Sequence, residues 1–167
     1  LVIPSIDDIF NGKTKFDELN AININDLLGR KKIDQENKDL SKLIKGKNIF
    51  VSGAGGSIGA ELCEQILSYE PSMLILFEIS EISLYTINSK LTSLNNLDIE
   101  LITILGSATD QKLIEKIFKE KNVNMVFHAS AYKHVPLVEV NPLQGLINNV
   151  LSTKVLCEVS SNSSVVK

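Results

Sequence analysis

Four of the seven residues from Gly53 to Gly59 are glycine, and three of them, Gly53, Gly56 and Gly59, repeat at a spacing of three. A short apolar run, Ile49 to Val51, leads into this cluster, and Ile58, Leu62, Ile66 and Leu67 leave it on one helical face. Strand, glycine turn and helix in that order suit the capture of a dinucleotide by its pyrophosphate. Gly53 lets the chain turn at the strand end, Gly55 and Gly56 let backbone approach the phosphates, and Gly59 lets the helix pack close to the sheet. The free N–H groups and positive dipole end of the helix then face the anion. The spacing G-x-x-G-x-x-G fits, whereas G-x-G-x-x-G would need a glycine at Ile58.

Other residues add to this chemistry. Glu78 closes the second apolar run, 25 positions after Gly53. A carboxylate there accepts hydrogen bonds from the adenosine ribose and repels a 2′-phosphate, which favours NAD over NADP. Gly106-Ser107-Ala108-Thr109-Asp110 follows the third run, either as an adenine contact at Ser107 or as a plain turn and helix cap. The small residues Ala129, Ser130 and Ala131 after the fourth run leave room for a ribose or nicotinamide. A lone histidine such as His128 at a strand end is more often hydrogen-bonded structure than a base. Tyr132-Lys133-His134 falls in the loop at the carboxyl edge, where ligands of such sheets bind. There Lys133 meets a substrate phosphate or hydroxyl, or else only solvent. Asn148 and Asn149 lie within a helical stretch that disfavours asparagine, and Asn149 is expected to face the site. Hydride transfer at an alcohol carbon needs a positioned acid–base group. No Tyr-x-x-x-Lys pair exists, because the residues four after Tyr69, Tyr85 and Tyr132 are Met73, Ser89 and Pro136.

The elements that place these residues alternate regularly from Lys47. Strands are expected at 48–52, 73–77, 99–105 and 124–128. Helices are expected at 57–69, from about Ser80 to Leu94, and across Leu113 to Phe118 with a stop at Asn122. A loop holding Pro136 and Pro142 precedes a long helix from about Leu143 to Ser160, and Val165-Val166 opens a fifth strand. Such β–α alternation with short connections predicts an α/β fold, a Rossmann-like doubly wound parallel sheet. Residues 1–45 read as an N-terminal arm, with a short helix at Ser5–Phe10, a docking segment at Asn23–Arg30 and a solvated run at Lys31–Asp39. Residues 46–167 form the dinucleotide-binding domain. The chain lacks an initial methionine and stops as the fifth strand opens, which reads as an incomplete sheet and a fragment. An unpaired edge beside the fourth strand predicts that the chain self-associates or needs its missing half, and a homo-oligomer is expected.

Composition narrows the classes. The net charge of −3 gives no basic footprint for nucleic acid. No apolar run reaches the ~20 residues of a membrane span, and no signal peptide is visible. The two cysteines, Cys63 and Cys157, have no metal-like spacing and suit a reducing, cytoplasmic setting.

Three motifs carry a resemblance. Val51 to Leu62 resembles V-T-G-A-G-G-S-I-G-S-E-L. Ser80-Glu81 with Leu84-Tyr85 resembles S-E-x-x-L-Y. His128 to Glu139 with Asn141-Pro142 resembles H-A-A-A-Y-K-H-V-P-L-x-E-x-N-P. These belong to the CapD-type polysaccharide-biosynthesis proteins, membrane-associated nucleotide-sugar 4,6-dehydratases of the extended short-chain dehydrogenase class. Asp26-Leu27-Leu28-Gly29-Arg30 is similar to the segment just before their catalytic domain. The resemblance implies a UDP-N-acetylglucosamine-like substrate, a held NAD(P), and a parent anchored at the cytoplasmic face of the inner membrane. By the same resemblance Gly53, Gly56, Ser57, Ile58 and Gly59 form the pyrophosphate loop, and Glu78 holds the ribose. Ala129, Ala131 and Asn149 meet the cofactor, and Lys133 and His134 face the nicotinamide or substrate. Two positions depart from the family pattern: Ser107 stands where an aspartate is usual, and Ser152 replaces a glycine, a change expected to alter packing only. The catalytic segment would follow Lys167, so no catalytic residue is expected within this chain. The residues alone leave open a nucleotide-sugar epimerase and a non-catalytic dinucleotide-binding module.

Overall fold

The computed structural model describes residues 38–163. The expected arm helix, docking segment and fifth strand lie outside the described residues. Four strands, β1 (Asn48–Ser52), β2 (Met73–Glu78), β3 (Glu100–Leu105) and β4 (Met125–His128), form one parallel sheet in the order β3-β2-β1-β4. The connections are α2 (Ser57–Ser68), α3 (Glu81–Leu94) and α4 (Gln111–Lys121), with α1 (Lys38–Ile44) ahead of β1. After β4 come α5 (Val135–Val140), α6 (Pro142–Leu146), a π-helical turn at Ile147–Leu151, and α7 (Ser152–Ser161).

Burial follows strand position. In β1 and β2 every residue after the first is buried, because both faces of a central parallel strand are covered. The edge strand β3 holds only exposed and partly buried residues. Ile49, Val51, Leu74 and Leu76 pack on one face against α2 and α3 through Cys63, Ile66, Leu84, Ile87 and Leu91. Phe50, Ile75 and Phe77 pack on the other against Ile114, Ile117 and Phe118 of α4 and Val155, Leu156 and Val159 of α7. The Phe50 ring lies 5.2 Å from that of Phe77 and 5.3 Å from that of Phe118. Helices on both faces make the sheet doubly wound, a Rossmann-like fold. Ile44 of α1 is 4% exposed and joins the first core, so this helix packs as part of the sheet domain.

Two features differ from the expected pattern. The segment after the fourth strand is not simply a loop, because α5 occupies Val135–Val140 and the long helix carries a π-turn in its middle. Elsewhere the stops are those the residues predict: Asn122 ends α4 at φ 48°, with its N–H on the Phe118 carbonyl.

Candidate functional site

The carboxyl ends of all four strands open on one edge. Because β2 lies on one side of β1 and β4 on the other, the chain reverses direction beside β1, and ligands of open α/β sheets bind at such a crevice. A cleft of about 170 Å³ lies there. Its wall includes Gly53 and Gly56 after β1, Glu78 and Ile79 at β2, Ser107 after β3, and Ala129, Ala131 and Tyr132 after β4, with Asn148 from the π-turn.

The glycine turn is built by close approach. Gly53 sits at φ +69°, and a Cβ there would come within 2.8 Å of the Ala129 carbonyl and the Ser130 nitrogen. A Cβ on Gly59 would lie 1.9 Å from the Gly53 carbonyl oxygen, so α2 can start this close to the strand end only with glycine. Gly55 differs from expectation: its missing Cβ makes room for Ser83 of α3, at 2.5 Å from that side chain, and it does not line the cleft. Gly56 does line the cleft and is the residue preceding α2, and a Cβ there would lie 3.3 Å from the Gly53 carbonyl oxygen. No side chain caps α2, whereas Ser80 caps α3 and Asp110 caps α4. The first N–H groups of α2 are thus available to an anion.

Glu78 is buried and highly engaged. Its Oε2 accepts from the Gly55 N–H at 3.0 Å, and its Oε1 accepts from the N–H groups of Ile79 and Ser80 at 2.9 and 3.1 Å. A carboxylate offers about four acceptor directions, so about one remains for a ligand hydroxyl. The carboxylate therefore braces the glycine turn and also lines the cleft. Ser107 bonds Thr109, hydroxyl to hydroxyl at 2.8 Å, and accepts from its backbone N–H at 3.3 Å. It lines the cleft as part of a local turn.

The remaining expected residues fall around the rim. Ser57 and Ile58 are exposed in the first turn of α2, and Lys133 reaches across from the β4 loop to donate from Nζ to Ser57 Oγ at 3.1 Å. This sets an ammonium beside the uncapped helix end. His134 lines a neighbouring hollow of about 370 Å³ with Leu137, Val138 and Gln144. Asn149 does not face the cleft. Its Oδ1 accepts from the Tyr132 N–H at 2.8 Å and its Nδ2 donates to the Tyr132 carbonyl at 3.0 Å, so the amide clamps both backbone polar groups of one loop residue. Asn148 lines the cleft instead and donates to Asn149 Oδ1. The sequence points to both asparagines, but the register that selects between them is set by the π-turn, which has no local sequence signal.

His128 is structural, as a strand-end histidine usually is. It stands opposite Ser52 in the β1–β4 register, with Nδ1 2.6 Å from Ser52 Oγ and Nε2 3.1 Å from Thr153 Oγ1. Burial pushes its pKa below the usual histidine value. Ser152 does more than alter packing, because its buried hydroxyl lies 3.4 Å from the same Nε2. Among the described residues no group of His, Cys, Asp and Glu could hold a metal.

The sequence model described as polysaccharide biosynthesis protein matches residues 49–167. The chain is 34% identical over 165 residues to the capsular polysaccharide biosynthesis protein CapD of Staphylococcus aureus, covering 99% of this chain and 28% of that protein. It is 28% identical over 109 residues to a UDP-N-acetylglucosamine 4,6-dehydratase (inverting) of Campylobacter jejuni, covering 65% of this chain and 30% of that enzyme. The solved UDP-glucose 4-epimerase of Bifidobacterium longum, in complex with NAD+ and UDP, shares the fold with a TM-score of 0.60 at 24% identity, covering 71% of this chain and 34% of that one. The chain thus spans only 28% and 30% of the two curated relatives. Its glycine turn, its β4 loop and its match over most of its length agree, and the chain belongs to the polysaccharide biosynthesis protein family.

Proposed function

We propose that this chain is the cofactor-binding part of a nucleotide-sugar 4,6-dehydratase that uses NAD and acts on a UDP-N-acetylglucosamine-type sugar. The observation that carries the reading is the convergence on one cleft of Gly56, the uncapped start of α2 and the Glu78 carboxylate. The residues there suit a dinucleotide: the N–H donors and Lys133 would meet the pyrophosphate, and the free acceptor direction of Glu78 would meet a ribose hydroxyl. Support for the reaction comes from the dehydratase relative and from the kinship with CapD.

A nicotinamide held there would supply the reversible hydride acceptor that an elimination of water across C5 and C6 of such a sugar requires. The residues described here bind and orient. Ala129 and Ala131 leave space along the β4 loop, Asn149 holds the backbone N–H and carbonyl of Tyr132, and Lys133 supplies positive charge beside Ser57. The acid and base of the elimination are assigned to the rest of the protein that carries this chain.

Calorimetric titration tests the binding half. NAD is expected to bind more tightly than NADP, since a 2′-phosphate would meet the Glu78 carboxylate. Equal or reversed affinities would overturn the assignment of Glu78. Proton NMR of UDP-N-acetylglucosamine with the whole protein tests the reaction, a 4-keto-6-deoxy product being expected. A second reading, a UDP-sugar 4-epimerase, is favoured by relatives such as the UDP-glucose 4-epimerase of Bacillus subtilis at 25% identity. A C4 epimer in the same spectrum would establish it.

A further inference from the structure

We propose that His128 is a positioning residue, held as the neutral tautomer with its proton on Nε2, and that this form fixes the π-turn from which Asn149 grips Tyr132. The assignment follows from counting protons. Each hydroxyl carries a single hydrogen. Thr153 Oγ1 gives its hydrogen to the Asn149 carbonyl at 2.7 Å, and Ser152 Oγ gives its own to the Asn148 carbonyl. Both oxygens therefore turn only lone pairs toward His128 Nε2, at 3.1 and 3.4 Å. The hydrogen between them must come from the ring. With Nε2 protonated and the ring neutral, Nδ1 is a bare acceptor, and it takes the hydrogen of Ser52 Oγ at 2.6 Å. Ser52 is fully buried, so the short bond to the ring satisfies a hydroxyl removed from water. The opposite tautomer would set Nε2 and two oxygens lone pair to lone pair.

The consequence is mechanical. The ring joins the last residue of β1, immediately before Gly53, to the first turn of α7. Through the two hydroxyls it reaches the carbonyls of Asn148 and Asn149, the two residues whose side chains meet the cleft and the β4 loop. The glycine turn and the β4 loop, separated by more than seventy residues of sequence, are thereby set against one another, so closely that a Cβ on Gly53 would lie 2.8 Å from the Ala129 carbonyl.

The test is ring nitrogen NMR on the full chain labelled with ¹⁵N-histidine near neutral pH. The sequence holds two histidines, and His134→Gln assigns the spectrum. For His128 the expected pattern is a protonated Nε2 and a bare, hydrogen-bonded Nδ1. A proton on Nδ1, or a charged ring, would overturn the tautomer. Ser52→Ala is expected to shift Nδ1 toward an unbonded bare nitrogen while Nε2 keeps its proton, and an unmoved Nδ1 would count against the bond. The positioning role is read from amide exchange of Tyr132. His128→Leu is expected to speed it about fivefold or more, the loss of one hydrogen bond's net worth. His128→Gln, which can still donate toward Thr153, is expected to restore most of the protection. If His128→Leu does not fold, Thr153→Val carries the same comparison. Tyr132 exchange unchanged in the folded variant would overturn the role.

Discussion

At the scale of single residues, the close approach at Gly59 and the burial of Cys63 make opposite kinds of prediction. A methyl group at Gly59 would meet backbone on the facing segment, and backbone cannot swing aside. Gly59→Ala is expected to destabilise the fold by about 3 kcal/mol and to abolish the calorimetric NAD signal, the cost of overpacking at a rigid contact. Thermal melts with and without NAD check both parts. Cys63 lies in the core under α2, and burial, with a smaller contribution from Glu64, pushes its thiol pKa up to about 12. The thiolate is the reactive form, so Cys63 is expected to resist an aromatic disulfide reagent in the native chain, while the exposed Cys157 reacts at once. Two thiols reacting at equal rates would refute this. The glycine spacing made the turn legible in the sequence, because glycine is the residue that such contacts demand. The role of Gly55 was not legible, since its partner Ser83 lies 28 positions away and only folding brings the two together.

At the scale of elements, β1 and the stop at Asn122 could be read because each has a local cause, an apolar run and a residue that tolerates the left-handed region. Helix α5 was missed because Pro136 and Pro142 look like breakers. Both stand in first turns, where the absent N–H has no helical partner to lose. The π-turn has no such cause, and it decided which asparagine reached the cleft. The joint between β4 and α7 gives a pH prediction. Burial lowers the folded pKa of His128, so the unfolded chain takes up its proton first as pH falls. The contribution of the neutral ring is therefore complete above about pH 6.5 and is lost as acid is added. Melting midpoints between about pH 7.5 and 5 are expected to fall less in His128→Gln than in the native chain. Parallel curves would refute this.

At the scale of the whole molecule, polar and apolar surface are unevenly shared. From Val135 to Leu151 the only charged residue is Glu139, and Val140, Leu143 and Leu146 are 74%, 63% and 57% exposed. Contiguous apolar surface of this kind drives association. Sedimentation is expected to show concentration-dependent self-association of the chain, relieved by Leu143→Glu with Leu146→Glu. A native chain that sediments as a monomer at every concentration would refute it. No described helix is long and apolar enough to cross a membrane. The doubly wound sheet was legible because residues 49–51 of β1 and 73–77 of β2 are unbroken apolar runs, as strands covered on both faces tend to be. Across that sheet, the Glu78 carboxylate has a bearing on redesign. It accepts the amides of Gly55, Ile79 and Ser80 and also faces the cleft, so on the function proposed above both the preference for a cofactor and the shape of its seat would depend on one side chain. An engineer who exchanged it for a smaller or cationic residue to admit a phosphorylated ribose would leave three amides without an acceptor. A successful retargeting has to supply that acceptor from elsewhere in the turn, which makes cofactor choice in this scaffold a matter of several coordinated replacements.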